Sequence, residues 1–152
     1  MLKEAVDFVE KSSVFLNKGK LVHLIIIGST VSIGYLDGKK IITYNIGTTV
    51  ERMAEDDILD SGSPILELKC DEVHVEPVQA RDIAKEVAKS SYPLECAEKW
   101  LVVLQNPGKP CYTITGITKS LKTISVKIDA FGKVFEHSCE QLALFDKPPN
   151  HA

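Results

Sequence analysis

Two cysteines and two histidines occur in pairs whose spacing suits metal binding. Cys70 and His74 are four residues apart, and His137 and Cys139 are two apart. Positions two or four apart share one face of a strand, so both pairs would converge if the two segments were neighbours. Two thiolates and two imidazoles are the ligand set of a tetrahedral zinc site. A Cys-x-x-Cys knuckle is missing, which favours ordinary core thiols and partly exposed histidines, so we expect neither a metal nor a cofactor.

A cysteine nucleophile is a second chemistry that the residue types allow. Cys111 follows Pro110 in a predicted loop, and His137 lies in the same predicted portion of the chain, as a thiol enzyme would require. Buried free cysteine more commonly behaves as a small hydrophobe. The glycine-rich motifs of dinucleotide and P-loop enzymes and the hydrolase elbow do not occur in the sequence. A small metal- or thiol-dependent enzyme is therefore only an alternative interpretation.

The composition of the chain is typical of a globular protein. The 152 residues are 44% hydrophobic and carry a net charge of -3, which is not the charge of a dedicated nucleic-acid binder. The four cysteines are evenly spread, so we expect reduced thiols rather than disulfides. No basic and apolar leader opens the chain, and no apolar run approaches the ~18 residues of a membrane span. We expect a cytoplasmic protein that makes no membrane contact.

The first part of the chain alternates helix and strand patterns. Helical spacing of apolar residues predicts an amphipathic helix over residues 2–18, followed by a buried strand over 21–27. Residues 31–35 and 40–44 flank Asp37-Gly38 and predict a tight hairpin. Thr48 and Glu51 form a capping-box pattern that predicts a helix to residue 58.

Two short strands, over residues 65–69 and 72–75, are predicted next. Pro77 then begins another helix, whose apolar stripe is narrow. Pro93 ends that helix and marks the best candidate for a boundary between two subdomains. We therefore expect an α+β portion over residues 1–93, a second portion over 94–148 and a tail over 149–152.

The last third changes to strand patterns. Trp100 opens an apolar strand, residues 112–118 are extended, residues 123–129 alternate strictly, and residues 142–145 close the run. This pattern resembles an SH3-like small barrel of the kind found in Tudor and KOW modules. The resemblance covers only this last third and implies a small antiparallel barrel there. Together with the patterns of the first part, we therefore expect an α+β fold: an N-terminal helix plus a mostly antiparallel sheet with two further helices, followed by the barrel.

The resemblance also implies a binding role rather than catalysis, because such barrels contact peptides or nucleic acids through loops and exposed aromatic side chains. The candidate binding residues are Tyr112, Lys119, Lys122 and Phe131. We therefore predict a non-enzymatic binding or adaptor module with a protein partner. Nucleic acid is the alternative partner, because the lysines and two aromatic rings of this portion suit phosphates and bases. Exposed strand edges, such as residues 31–35, also allow a homodimer.

Overall fold

The computed structural model describes residues 1–16, 19–57 and 65–141. The helices are α1 (Leu2–Glu10) and α2 (Pro77–Ser91), and a 3-10 turn covers Cys70–Glu72. The strands are β1 (Lys20–Ile27), β2 (Thr30–Asp37), β3 (Lys40–Ile46), β4 (Val50–Asp57), β5 (Ala97–Gln105), β6 (Cys111–Thr118), β7 (Lys122–Asp129) and β8 (Val134–Gln141). None of the described helices is long and apolar enough to cross a membrane.

The described strands form one antiparallel sheet in the order β4-β3-β2-β1-β5-β6-β7-β8. This order consists of two units, each a helix followed by a four-stranded meander, joined where β1 pairs with β5. Irregular pairing occurs at the same places in both units. It interrupts the pairing of the first strand with the second, and of the third with the fourth. The described elements therefore form two structurally similar units, related by a pseudo-two-fold axis between β1 and β5.

Both helices pack on the same face of the sheet. α1 contributes Leu2, Val6 and Val9 to the core, and α2 contributes the small residues Ala80, Ala84 and Ala88. Inward-facing residues of β1, β2, β3, β5, β6 and β7 complete this core. Fully buried among them are Tyr44, Leu24, Ile33, Val102, Leu104, Tyr112, Ile114, Ile124, Val126 and Ile128. Alanines at i, i+4 and i+8 let α2 lie close to the sheet, which fixes the side chains on its flanks.

The structure confirms the α+β content and the hairpin at Asp37-Gly38, but the predicted barrel is wrong. The last four strands form the half of an open sheet, because the free edge of β5 pairs with β1 from Leu101 to Gln105. Closing a barrel would require that edge to pair within its own portion. Residues 31–35, expected as a free edge for a homodimer, lie in β2, which is paired on both sides.

The prediction of a third helix is also wrong. Residues 50–57 form β4 rather than a helix, because pairing with β3 overrides the capping pattern of Thr48 and Glu51. The Gly47 amide donates to the Thr49 carbonyl at 2.9 Å, which closes a turn instead of a helical cap. The first helix ends at Glu10 rather than at residue 18. Residues 65–69 and 72–75 are not strands, and the predicted closing strand over 142–145 lies outside the described residues.

Candidate functional site

The cysteine and histidine pairs do not converge on one point. Cys70 lies in the 3-10 turn, and the ring of His74 stacks on Phe131 with centroids 4.6 Å apart. His137 lies on β8, where its Nδ1 is 2.8 Å from the hydroxyl of Tyr92. Among the described residues, no group of three or more His, Cys, Asp or Glu side chains is arranged to hold a metal ion.

Three of the thiols lie in surroundings that suppress their reactivity. Burial raises the pKa of Cys70, Cys111 and Cys139 above the ordinary value for cysteine. A raised pKa keeps a thiol protonated at neutral pH, whereas a nucleophilic cysteine needs the thiolate. Cys111 begins β6 with its side chain buried, as expected of a small core hydrophobe.

The four predicted binding residues do not share one surface. Tyr112 is fully buried, and its hydroxyl donates to the Val75 carbonyl at 2.5 Å. Lys119 and Lys122 flank the β6–β7 turn, where Lys122 forms an ion pair with Glu95 at 2.9 Å. Phe131 is 73% exposed, but it lies in the β7–β8 turn at the opposite end of these strands.

A recess lies where β1 ends and β5 continues. β5 begins at Ala97 but pairs with β1 only from Leu101 onward. In the part of the chain that the structure describes, residues 97–100 therefore have a neighbouring strand on the β6 side alone. The resulting recess has a volume of about 610 Å³, and Arg81 and Lys85 of α2 line one side of it. We call it the Trp100 recess.

The walls of the Trp100 recess are largely apolar. Ile27, Trp100, Leu101 and Ile117 supply them, and Ile27 and Ile117 are 63% and 41% exposed. The Trp100 ring lies directly over Gly116, where a Cβ atom would be 2.9 Å from the indole. Partly exposed large apolar side chains in a concave site are typical of ligand and peptide binding.

The rim of the Trp100 recess is positively charged. Arg81 and Lys85 lie one turn apart on α2, beside the buried alanines that seat the helix, and Lys99 joins them from β5. Within the described residues none of these three cations forms an ion pair. The Nε atom of Arg81 is buried there without a hydrogen-bond partner. The rim has one acidic residue, Glu98, whose Oε1 atom forms an ion pair with the Nζ atom of Lys119 at 3.5 Å.

The pseudo-two-fold axis relates this recess to the unpaired start of β1, at the opposite end of the β1–β5 pair. There β1 begins at Lys20 but pairs with β5 only from His23. Residues 65–69, which we call the plug, lie beside this overhang. The Leu68 amide donates to the Leu21 carbonyl at 2.7 Å, and the Asn106 side chain donates to the Glu67 carbonyl at 2.9 Å.

Leu68 of the plug is only 2% exposed and belongs to the core. The first unit thus shows what kind of chain fits beside an unpaired strand end. It is an extended segment that makes a backbone hydrogen bond and inserts one large apolar side chain.

No protein-family model, curated protein or solved structure matches this chain. The chemistry of the Trp100 recess therefore has to be argued from its own residues and from comparison with the plug.

Sequence analysis identified Trp100 as the start of a strand but not as part of a site. Arg81 and Lys85 carried a usable signal, because two cations one helical turn apart flank a stripe of alanines. What the sequence does not reveal is that β1 stops four residues short of the start of β5. That offset creates the recess.

Proposed function

We propose that this protein is a non-enzymatic binding module that holds an extended, apolar and acidic peptide of a protein partner in the Trp100 recess. A single observation carries the proposal. One recess combines apolar walls, an unpaired strand end and three cations that have no carboxylate partner among the described residues.

The unpaired end of β5 favours an extended peptide. An exposed strand edge offers backbone amides and carbonyls that a peptide can pair with, while pockets on either side select alternate side chains. Residues 97–100 provide such an edge. The plug supports this mode, because its Leu68 amide pairs with the corresponding overhang of β1.

The cations favour a peptide that carries carboxylates. Arg81 and Lys85 approach the recess from α2 and Lys99 approaches it from β5, so an acidic side chain inside would be contacted from two sides. Hydrogen bonds between ionised partners are about twice as strong as neutral ones. Nucleic acid is disfavoured as the occupant because Glu98 lines the same rim and the whole chain carries a charge of -3.

Selection of peptides from a random display library tests the proposal. We expect selected peptides to combine large apolar residues with Asp or Glu, and to lose about tenfold or more in affinity for Trp100→Ala and for Lys85→Glu. Lys89→Glu is the matched control, because Lys89 lies one turn further along α2 and does not line the recess. It should bind like the original chain.

Two results would contradict the proposal. One is that the selected peptides bind Trp100→Ala and Lys85→Glu as tightly as they bind the control. The other is that a fluorescent oligothymidylate binds more tightly than any selected peptide and loses that affinity in Lys85→Glu. Circular dichroism on each variant shows whether the fold is retained.

A further inference from the structure

One face of the sheet carries apolar side chains that do not belong to the core. Both helices pack on the other face, where the core lies. Strand alternation and cross-strand register place five partly exposed apolar residues on the face without helices, namely Ile25, Leu36, Ile41, Leu101 and Val103. Within the described residues, neither the core nor the side chains packed against it include any of these five. We call this surface the open face.

The open face is centred on the pseudo-two-fold axis. β1 and β5 are paired from His23 to Ile27, and the middle pair of this ladder is Ile25 with Val103. Both side chains lie on the open face, because the core residues Leu24 and Val102 next to them lie on the other one. A half-turn about the middle pair maps β1 onto β5. The open face therefore presents the same arrangement of strands from either end, with an apolar pair at its centre.

Small hydroxyl side chains surround this apolar centre. They are Ser32 on β2, Thr113 and Thr115 on β6, and Ser125 on β7. Charged side chains lie further out, such as Lys99 near the start of β5 and Lys127 on β7, which forms an ion pair with Glu136 of β8 at 3.0 Å. A surface with an uncharged centre does not repel a copy of itself. It also lacks there the cations that bind the phosphates of a nucleic acid.

The dimensions of the open face suit an interface between two copies. The eight described strands are at least seven residues long, which corresponds to a face of about 38 Å by about 23 Å. This is about 900 Å² on each copy, whereas a standard stable interface needs about 800 Å² per partner. Two twisted sheets pack face to face when their strands cross at about 30°, so the twist of the sheet does not prevent this contact.

We propose that two copies of this protein pack their open faces against each other, with Ile25 and Val103 of both copies at the centre of the interface. This inference goes beyond the proposed function and does not depend on it. Arg81 and Lys85 lie on α2, on the other face of the sheet, so the cationic side of the Trp100 recess stays accessible in the dimer. Leu101 lies on the open face and also lines the recess, so the second copy borders the recess.

Analytical ultracentrifugation of the full chain tests this inference, and we expect a dimer at about 50 µM. Val103→Glu and Ile25→Lys each bring like charges together at the centre of the interface, and each should weaken the dimer about 100-fold or more. An equimolar mixture of the two variants should dimerise again, because opposite charges then meet. Val78→Glu is the matched control, because Val78 is a 44% exposed valine on α2, away from the open face. It should dimerise like the original chain.

Two results would overturn the inference. One is that the original chain sediments as a monomer; a fluorescent oligothymidylate that binds it and is lost in Val103→Glu would then identify nucleic acid as the occupant of the open face. The other is that Val103→Glu and Ile25→Lys dimerise as tightly as Val78→Glu. Circular dichroism separates a lost dimer from a lost fold, and if one of the two variants does not fold, the other decides. Neither variant changes Trp100 or Lys85, so the peptide proposal stands or fails separately.

Discussion

Replacing Leu68 by alanine tests the interpretation that the plug fills the overhang of β1 as part of the core. Leu68 is 2% exposed, so the substitution removes three buried carbons at about 0.8 kcal/mol each, or about 2.4 kcal/mol. A cavity term adds to this loss, because the backbone hydrogen bond to Leu21 at 2.7 Å holds the segment in place and limits collapse. We expect a total loss of about 3 kcal/mol in the free energy of unfolding.

Leu66→Ala is the matched control, because it changes the same residue type within the same short segment. Leu66 is 38% exposed, and we expect a loss below about 1 kcal/mol. Urea denaturation followed by circular dichroism measures both variants, and an unchanged slope shows that the midpoint shift reports stability.

The reasoning would be refuted by equal losses in the two variants. It would also be refuted if Leu68→Ala cost less than about 1 kcal/mol, because a side chain that fills a core position cannot be removed so cheaply. In that case the plug would merely lie on the surface, and the comparison between the two ends of the β1–β5 pair would lose its basis.

Three further predictions concern single side chains. Gly116→Ala should displace the indole of Trp100, because the new Cβ would lie 2.9 Å from its Cζ3 and Cη2 atoms; an unchanged emission spectrum would contradict this. Tyr112→Phe should cost about 1 kcal/mol in urea denaturation, because it removes the hydrogen bond to the Val75 carbonyl; full stability would show that this bond contributes nothing. Burial lowers the pKa of His23, so the unfolded chain binds its proton more readily. Stability should therefore fall as the pH drops from about 6.5 towards the lower native pKa and then level off. A smaller difference between urea midpoints at about pH 7.5 and about pH 5.5 is expected for His23→Gln, and an identical difference would exclude His23 as the source.

Local patterns predicted much of the strand content. Buried runs and strict alternation identified β1, β5 and β7, and Asp37-Gly38 identified the β2–β3 hairpin. These signals are local, because hydrophobic periodicity and turn-forming residues can be read from a short stretch of sequence. The capping pattern at Thr48 wrongly predicted a helix. Pairing with β3, which is a tertiary interaction, makes residues 50–57 a strand instead.

The arrangement of the strands was not predictable in the same way. An apolar strand that opens a meander, such as the one containing Trp100, fits a closed barrel as well as half of an open sheet. The deciding contact is the pairing of β5 with β1, which lies about 80 residues earlier in the sequence. The similarity of the two units is visible only after that pairing is known. The recess and its comparison with the overhang of β1 depend on the same pairing.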